Sequence, residues 1–493
     1  MSVQFFGSQI GGQTEAPLSF TGSPWALFIS DALLFLRWIP YLPNIAIPLY
    51  PWPSGDLDEL YPSLPNIFDI ALHAILFAMQ ATFIVSLLFL THLPFFLYVA
   101  YIWIFILLNT MVCWLLNGKI PNGGLKSTED YQSRAWARHE DECWIFLNGV
   151  AVGQHWLQSN IDRISRTFHR PVTGVHNKTS GIIFDVIQIL IQRCLNYATL
   201  DVRHCYVLIK KALYTPGIKK VVLILHSQGG TEGSMILDWL LNEVPQDLLK
   251  YLEVYTFGNA ANHFNNPDRD LGSSAGTYTD SKGGRALSST INNRAIAHIE
   301  HYANSKEFVA QWGVLNFAPK VSKGRLENRF MGRVFECPAK GHMLNQHYLD
   351  NMFPLDPTRR FVREPKSGDF MDMDAVLGDD ARNREGMGQS LYSTMGRGLG
   401  KLETENGKKN EEVRARVLNI SPTSAQTEKG EEASGPGLNT WVENWAESWI
   451  RESPMTNKDM GKSEDKRRLK VRDLSRLWAY RNGGTPPVCY KEV

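Results

Sequence analysis

What the chain lacks narrows its chemistry first. Its six cysteines (Cys113, Cys143, Cys194, Cys205, Cys337 and Cys489) are scattered over 493 residues, with no CxxC pair and no histidine-spaced cluster. That pattern suggests neither a zinc site nor a disulfide framework, and free thiols in a reducing compartment are the simpler reading. No metal and no other cofactor is expected. A formal net charge of +1 gives no general reason to expect nucleic acid as a partner. No basic region precedes the first apolar run, so a cleaved signal peptide is not expected.

A local absence says more. Between Asp69 and Lys119 there is not one Asp, Glu, Lys or Arg. Such an interval fits two membrane spans of about 20 residues with a short turn, placed near Ile70–Leu90 and Phe96–Leu116 around Thr91-His92-Leu93-Pro94. A soluble helical hairpin would need a polar face. Lys119, Lys126, Arg134 and Arg138 follow the second span, Arg37 alone precedes the first, and the turn is uncharged. The positive-inside rule then leaves both ends and the large C-terminal region in the cytosol, on an endomembrane. Trp25–Tyr50 is also apolar, but Asp31, Arg37, Pro40 and Pro43 interrupt it. It reads as lying in the interface; if it crossed, the N-terminus would change sides.

From Cys143 onward strand-like and helix-like runs alternate. Strands are expected at Cys143–Leu147, Pro171–Val175, Lys220–Leu225, Leu252–Phe257 and Ile296–Tyr302. Helices are expected at Gln154–Phe168, Ile182–Leu195, Val202–Tyr214 and Thr231–Asn242. The fold class is α/β, a mostly parallel sheet covered by helices on both faces. The expected division is 1–66 as an N-terminal, interfacial segment and 67–117 as the two spans. Residues 118–356 form the α/β domain, with a Gly/Ser/Asp/Asn-rich insertion at 262–293 that is either a lid or a surface excursion. Residues 357–436 are too polar to bury a core and read as a disordered linker. In the tail, 437–493, Trp441, Trp445 and Trp449 would line one helix face, and a second island spans Leu474–Tyr480. Each island docks either on the protein's own domain or on a membrane surface.

The chemistry concentrates at Val221-Val222-Leu223-Ile224-Leu225-His226-Ser227-Gln228-Gly229-Gly230. A buried strand followed by a serine and a helix is the arrangement of a nucleophile elbow, in which the turn lifts the hydroxyl clear of the sheet. A serine needs a base, and the base needs a carboxylate to orient it. Downstream, Glu307 lies just past a strand end and is the acid candidate, ahead of Asp280 in the insertion and Glu300 within the strand. Glu307 is open to another reading, as a helix N-terminal acid facing the macrodipole. His342, preceded by Gly341, is the base candidate, with His347 as its rival. His226 is expected to pack or hydrogen-bond. The oxyanion donors would be the amides of Gln228 and Val150, although Leu147-Asn148-Gly149-Val150 also reads as a plain strand-ending turn.

These segments together resemble the α/β-hydrolase superfamily, especially its lipase-like members. His226 through Gly230 looks like the lipase elbow, and Tyr255-Thr256-Phe257-Gly258-Asn259 resembles the strand and turn that follow it in class 3 lipases. Asn304 through Val309 is similar to their acid loop, with Glu in place of the more usual Asp, and Gly341-His342 fits the histidine loop. The resemblance covers Trp136 to Pro354 and implies a serine ester hydrolase whose substrate is a lipid or other ester. Leu225 departs from it, standing where a small residue is usual, and calls for a wider helix crossing or a displaced helix. A catalytically silent membrane scaffold, or an acyltransferase or thioesterase with the same residues, competes with that reading; protein partners are not indicated. Asn177-Lys178-Thr179 and Asn419-Ile420-Ser421 match glycosylation acceptors that a cytosolic domain would leave bare.

Overall fold

Strands that are apolar on both sides need cover on both faces, and the chain supplies it. The computed structural model describes residues 2–6, 23–121, 123–128, 139–267, 294–318, 320–322, 325–327, 329–377 and 469–486. Its strands are β1 (Ser2–Phe6), β2 (Leu125–Lys126), β3 (Glu142–Leu147), β4 (Val172–Val175), β5 (Lys220–His226), β6 (Leu252–Phe257), β7 (His298–Asn304), β8 (Lys320–Ser322), β9 (Arg325–Glu327), β10 (Arg333–Cys337) and β11 (Asp374–Leu377). The principal helices are α1 (Pro24–Trp38), α2 (Leu64–Phe89), α3 (Phe95–Asn117), α4 (Gln154–Phe168), α5 (Ile182–Leu195), α6 (Leu200–Tyr214), α7 (Gln228–Glu243), α8 (Gln246–Leu249), α9 (Phe308–Trp312) and α10 (Val314–Phe317).

Nine strands form one mixed, mostly parallel sheet in the order β11-β1-β10-β7-β6-β5-β3-β4-β2, while β8 and β9 make a separate hairpin. Within the large sheet β1 on β10 and β2 on β4 run antiparallel. The period of two along each strand sorts the core. Trp144, Phe146, Val222, Ile224 and Tyr255 face α4, and Ile145, Leu147, Val221, Leu223 and Val254 face α6 and α7. From β3 the chain steps outward to β4 and then returns to β5 on the other side of β3. That reversal opens a crevice at the C-terminal ends of β3 and β5, the place where sheets of this kind bind ligands.

The sheet takes up more chain than the expected 118–356. β1 and β11 lengthen one edge, so residues 357–377 belong to the fold rather than to a linker. Four-residue and five-residue edge strands in polar surroundings carry too little periodicity to stand out. The second tail island docks on its own domain. Val471, Leu474, Leu477, Trp478 and Tyr480 are buried against the α4 side of the sheet, and Arg476 lies 2.9 Å from Glu253. Burial alone would raise the Glu253 carboxyl, but the charges of Arg476 and Lys220 hold it at about 2. The first tryptophan island, the rest of the linker from 378, and residues 268–293 of the insertion lie outside the described residues.

Three helices are long and apolar enough to span a membrane, Pro24–Ile45, Leu64–His92 and Phe95–Asn117. The hairpin α2–α3 starts earlier than the charge pattern implied, capped by Ser63, whose hydroxyl accepts the Asn66 N–H at 3.3 Å. Several of its polar residues are buried against the domain. Asn66 Oδ1 bonds His155 and Trp156 at 3.1 and 3.0 Å, and Gln80 donates to Asn109 and to the Ser180 carbonyl at 2.9 and 2.7 Å. Elsewhere the hairpin presents bare apolar side chains such as Phe89, Phe95, Trp103 and Leu107. Helix α1 is held along the domain: Asp31 meets Arg193 at 2.5 Å, and Phe35 packs edge-on against Phe308 and Trp312.

Because Trp478 is buried in the main core, stacked on Phe353, Trp478→Ala should destabilise the domain by about 3–5 kcal/mol. Denaturant titration of the detergent-solubilised chain measures it, and a loss within a few tenths of wild type would contradict the docking.

Candidate active site

Ser227 sits between β5 and α7 with φ 57° and ψ −121°, a backbone conformation that costs a residue with a Cβ roughly 1–3 kcal/mol. The surroundings hold it there. Its N–H donates to the Phe257 carbonyl at 3.0 Å, and its own carbonyl accepts from Gly230 and Ala260 at 3.0 and 3.1 Å. Gly149, in the loop after β3, lies so close that a Cβ on it would come within 2.4 Å of the Ser227 Cβ. The β3 and β5 ends therefore meet around this serine, which is buried.

Leu225 is met by a glycine on α7. Its side chain lies over Gly233, where a Cβ would come within 2.2 Å of Leu225 Cδ1. The small residue of this contact stands on the helix, and Leu225 fills the space over it.

Glu307 follows β7 and is fully buried as the N-cap of α9. Its two oxygens accept the N–H groups of Val309 and Ala310 at 2.6 and 2.7 Å, and Tyr348 donates to Oε1 at 3.3 Å. These donors compensate its burial. The same carboxylate lies 3.3 Å from Nδ1 of His342, so Glu307 takes the capping role and the imidazole contact together. The His342 ring stands over Gly258 and stacks on His226 with centroids 4.7 Å apart, next to Ser227 in sequence. Neither ring nitrogen of His342 makes a hydrogen bond among the described residues, so the Glu307 contact is a close approach not yet aligned as one.

The rivals are occupied elsewhere. His347 accepts the Met343 N–H at 2.9 Å and donates to the Pro48 carbonyl at 2.8 Å. Glu300 binds His298, Tyr302 and the amides of Arg476 and Leu477, and so serves the tail segment. Asp280 lies outside the described residues. His226 donates from Nε2 to the His342 carbonyl at 2.8 Å, and burial beside His342 keeps its imidazole uncharged.

At the proposed oxyanion positions, Gln228 is the first residue of α7, and its side chain donates to Gln192 at 2.9 Å. Val150 lies in the loop with Gly149. That loop is pinned by Asn148 to Asn177, and by the Ala151 N–H to Asp185 at 3.1 Å. Asn177 is buried in this contact, which closes the first glycosylation acceptor; Asn419 lies outside the described residues.

Sequence reasoning missed the supports. Backbone N–H groups of Gly341 and His342 donate to the carbonyls of Asn44 and Ile45 at 3.0 Å, and Asn44 reaches the Lys306 carbonyl at 2.7 Å. Glu59 accepts from the amides of Asn345 and Gln346 and from Asn160. The strap before α2 thus holds the loop after His342. Beneath it, Asp58 and Asp350 share a buried site with Arg163 and Ser54. Burial and the Asp350 charge push the Asp58 carboxyl up to about 9. No local signal marks these residues, because their partners are hundreds of positions away.

No protein-family model matches the chain, and neither a curated protein nor a solved structure matches it.

Gly233→Ala should destabilise the fold by about 1–3 kcal/mol through overpacking, and Leu225→Ala in the same chain should recover part of that loss. A double-mutant cycle by denaturant titration checks it, with no coupling as the contrary result. For Asp58, folding raises the pKa from 3.8 to about 9, so its contribution is complete below about pH 4 and is lost as pH rises to about 9. Asp58→Asn should flatten the fall in melting temperature over that window, and an unchanged profile would contradict the shared site.

Proposed function

We propose that this chain is a membrane-anchored serine hydrolase of the α/β-hydrolase fold, lipase-like, that cleaves a carboxylic ester of a lipid. The observation that carries the reading is the strained serine at the reversal point of the sheet, with a histidine–glutamate pair whose ring stacks on the adjacent His226. Ser227 Oγ attacks the acyl carbon while His342 Nε2 takes the hydroxyl proton, and Glu307 orients the ring and stabilises its cation. The amides of Gln228 and Val150 receive the oxyanion. Collapse of the tetrahedral intermediate expels the alcohol, which leaves with the proton held on His342. Water, activated by the same imidazole, then releases the acid. The bare nitrogens of His342 suit this role, since catalytic hydrogen bonds often tighten only when substrate binds.

The lipid substrate follows from the apolar hairpin beside the domain, which would keep the crevice at a bilayer, with the domain on the cytosolic side. The second reading, a scaffold that keeps the fold without turnover, draws on one observation: Ser227 and His342 are not hydrogen-bonded to each other.

A fluorophosphonate probe distinguishes the two. The wild-type chain should be labelled, Ser227→Ala and His342→Ala should not, and Glu307→Gln should slow labelling by roughly 10³–10⁴-fold. Absence of labelling in protein shown by circular dichroism to be folded favours the scaffold.

A further inference from the structure

Helices that served only as an anchor would have no use for buried amides, yet α2 and α3 turn three of them toward one segment of the domain. Gln80 donates to the Ser180 carbonyl at 2.7 Å and accepts the Ile183 N–H at 3.2 Å. Gly181 leaves it room, since a Cβ there would come within 2.0 Å of the Gln80 Nε2. Asn109 adds a bond to the same Ser180 carbonyl at 3.3 Å. At the end of α3, Asn117 binds Thr179 in both directions, donating to its carbonyl at 2.8 Å and accepting its N–H at 3.0 Å. An amide in an apolar helix is costly to bury without partners, so these bonds tie the 177–181 turn to the hairpin.

The turn leads to the crevice. Thr179 Oγ1 and the Ser180 N–H donate to the buried Asp185 carboxylate at 2.6 and 2.7 Å. The oxygen that Thr179 reaches also accepts the Ala151 N–H, at 3.1 Å. Ala151 has φ 58°, a left-handed conformation that a residue with a Cβ adopts only when its surroundings hold it. To either side, Asn148 accepts the Asn177 N–H at 2.9 Å and the His176 ring meets the Val152 carbonyl at 2.9 Å. Val150 stands between these fixed neighbours, and its own N–H has no partner among the described residues. The hairpin also touches the loop directly, because a Cβ on Gly153 would come within 2.7 Å of the Leu116 carbonyl.

Resting on the hydrolase reading, we propose that Asp185 is a positioning residue for the oxyanion donor Val150, held in place by the membrane hairpin through Gln80 and Asn117. The apolar helices then set the geometry of the crevice as well as tethering it. A donor moved by about 1 Å loses much of its effect on the developing charge, on the order of 10²-fold in rate.

The test uses the full-length chain in phosphatidylcholine nanodiscs, with two readouts. In hydrogen–deuterium exchange, Gln80→Leu, Asn117→Ala and Asp185→Ala should each speed exchange of 148–153 by about tenfold while α7 exchanges at the wild-type rate. In hydrolysis of a short-chain nitrophenyl ester, the same variants should lower kcat by about 10²-fold with KM within about threefold, the rate being referred to the fraction folded by circular dichroism. Asp185→Asn, which keeps one oxygen for Ala151, should retain more kcat than Asp185→Ala. Ser86→Ala, which removes a bond to Tyr101 inside the hairpin, should leave both readouts unchanged. The two hairpin variants carry the test should Asp185→Ala fail to fold. Exchange of 148–153 indifferent to both Gln80→Leu and Asn117→Ala overturns the proposal, as does faster exchange spread equally over α7, which assigns the bonds to global stability. A loss of activity borne by KM also overturns it. A wild-type chain that neither hydrolyses the ester nor takes a fluorophosphonate overturns the hydrolase reading and with it the role of Val150, whatever the exchange shows. An active wild type whose loop ignores the hairpin substitutions overturns the present proposal alone.

Discussion

Ser227 keeps a left-handed backbone because the end of β5 is tied on both sides. Its N–H is bonded to Phe257 at the end of β6 and its C=O to Ala260 in the loop that follows, and Gly149 presses against its side chain from the loop after β3. Everything else in the site is placed relative to that turn. Helix α7 starts at that turn, and its Gly233 receives the Leu225 side chain. Helix α7 in turn presents Gln228 at its first position, and the neighbouring His226 supports His342 by stacking and by the bond to its carbonyl.

The site is also held by segments that flank the apolar helices. The 3-10 turn Ile39–Ile45 after α1 bonds the histidine loop and the acid loop, and the strap before α2 caps the segment that follows His342. Segments that precede and follow the apolar helices are therefore built into the α/β domain. Arg163 with Asp350 and Arg193 with Asp31 are ion pairs buried in these joints, while Glu59 is held by neutral donors. Removing one member of such a pair leaves an uncompensated ion, which costs more than the pair contributes.

Much of this was legible in the residues. The absence of charge from 70 to 118 foretold the helical hairpin, and the alternation after Cys143 foretold a mostly parallel sheet. Gly-preceded His342 and post-strand Glu307 were found by chain order alone and lie side by side. The strands β1 and β11 were not legible, because their partners lie hundreds of residues away, β1 pairing with β10 and β11 with β1. The docking of Trp478 and Tyr480 was left open between the domain and a membrane, since an apolar island does not name its partner.

What the sequence determined by itself was local and periodic: which runs are apolar on one side or on all sides, and where a serine turn separates strand from helix. What only the tertiary structure decided was which distant residues meet. Leu225 fits because of Gly233, His347 is excluded by Pro48, and α1 lies along the domain because Asp31 finds Arg193. The reason is physical. Hydrophobic period acts over a few residues, whereas close packing and the pairing of buried polar groups are settled only when segments far apart in the chain share one space.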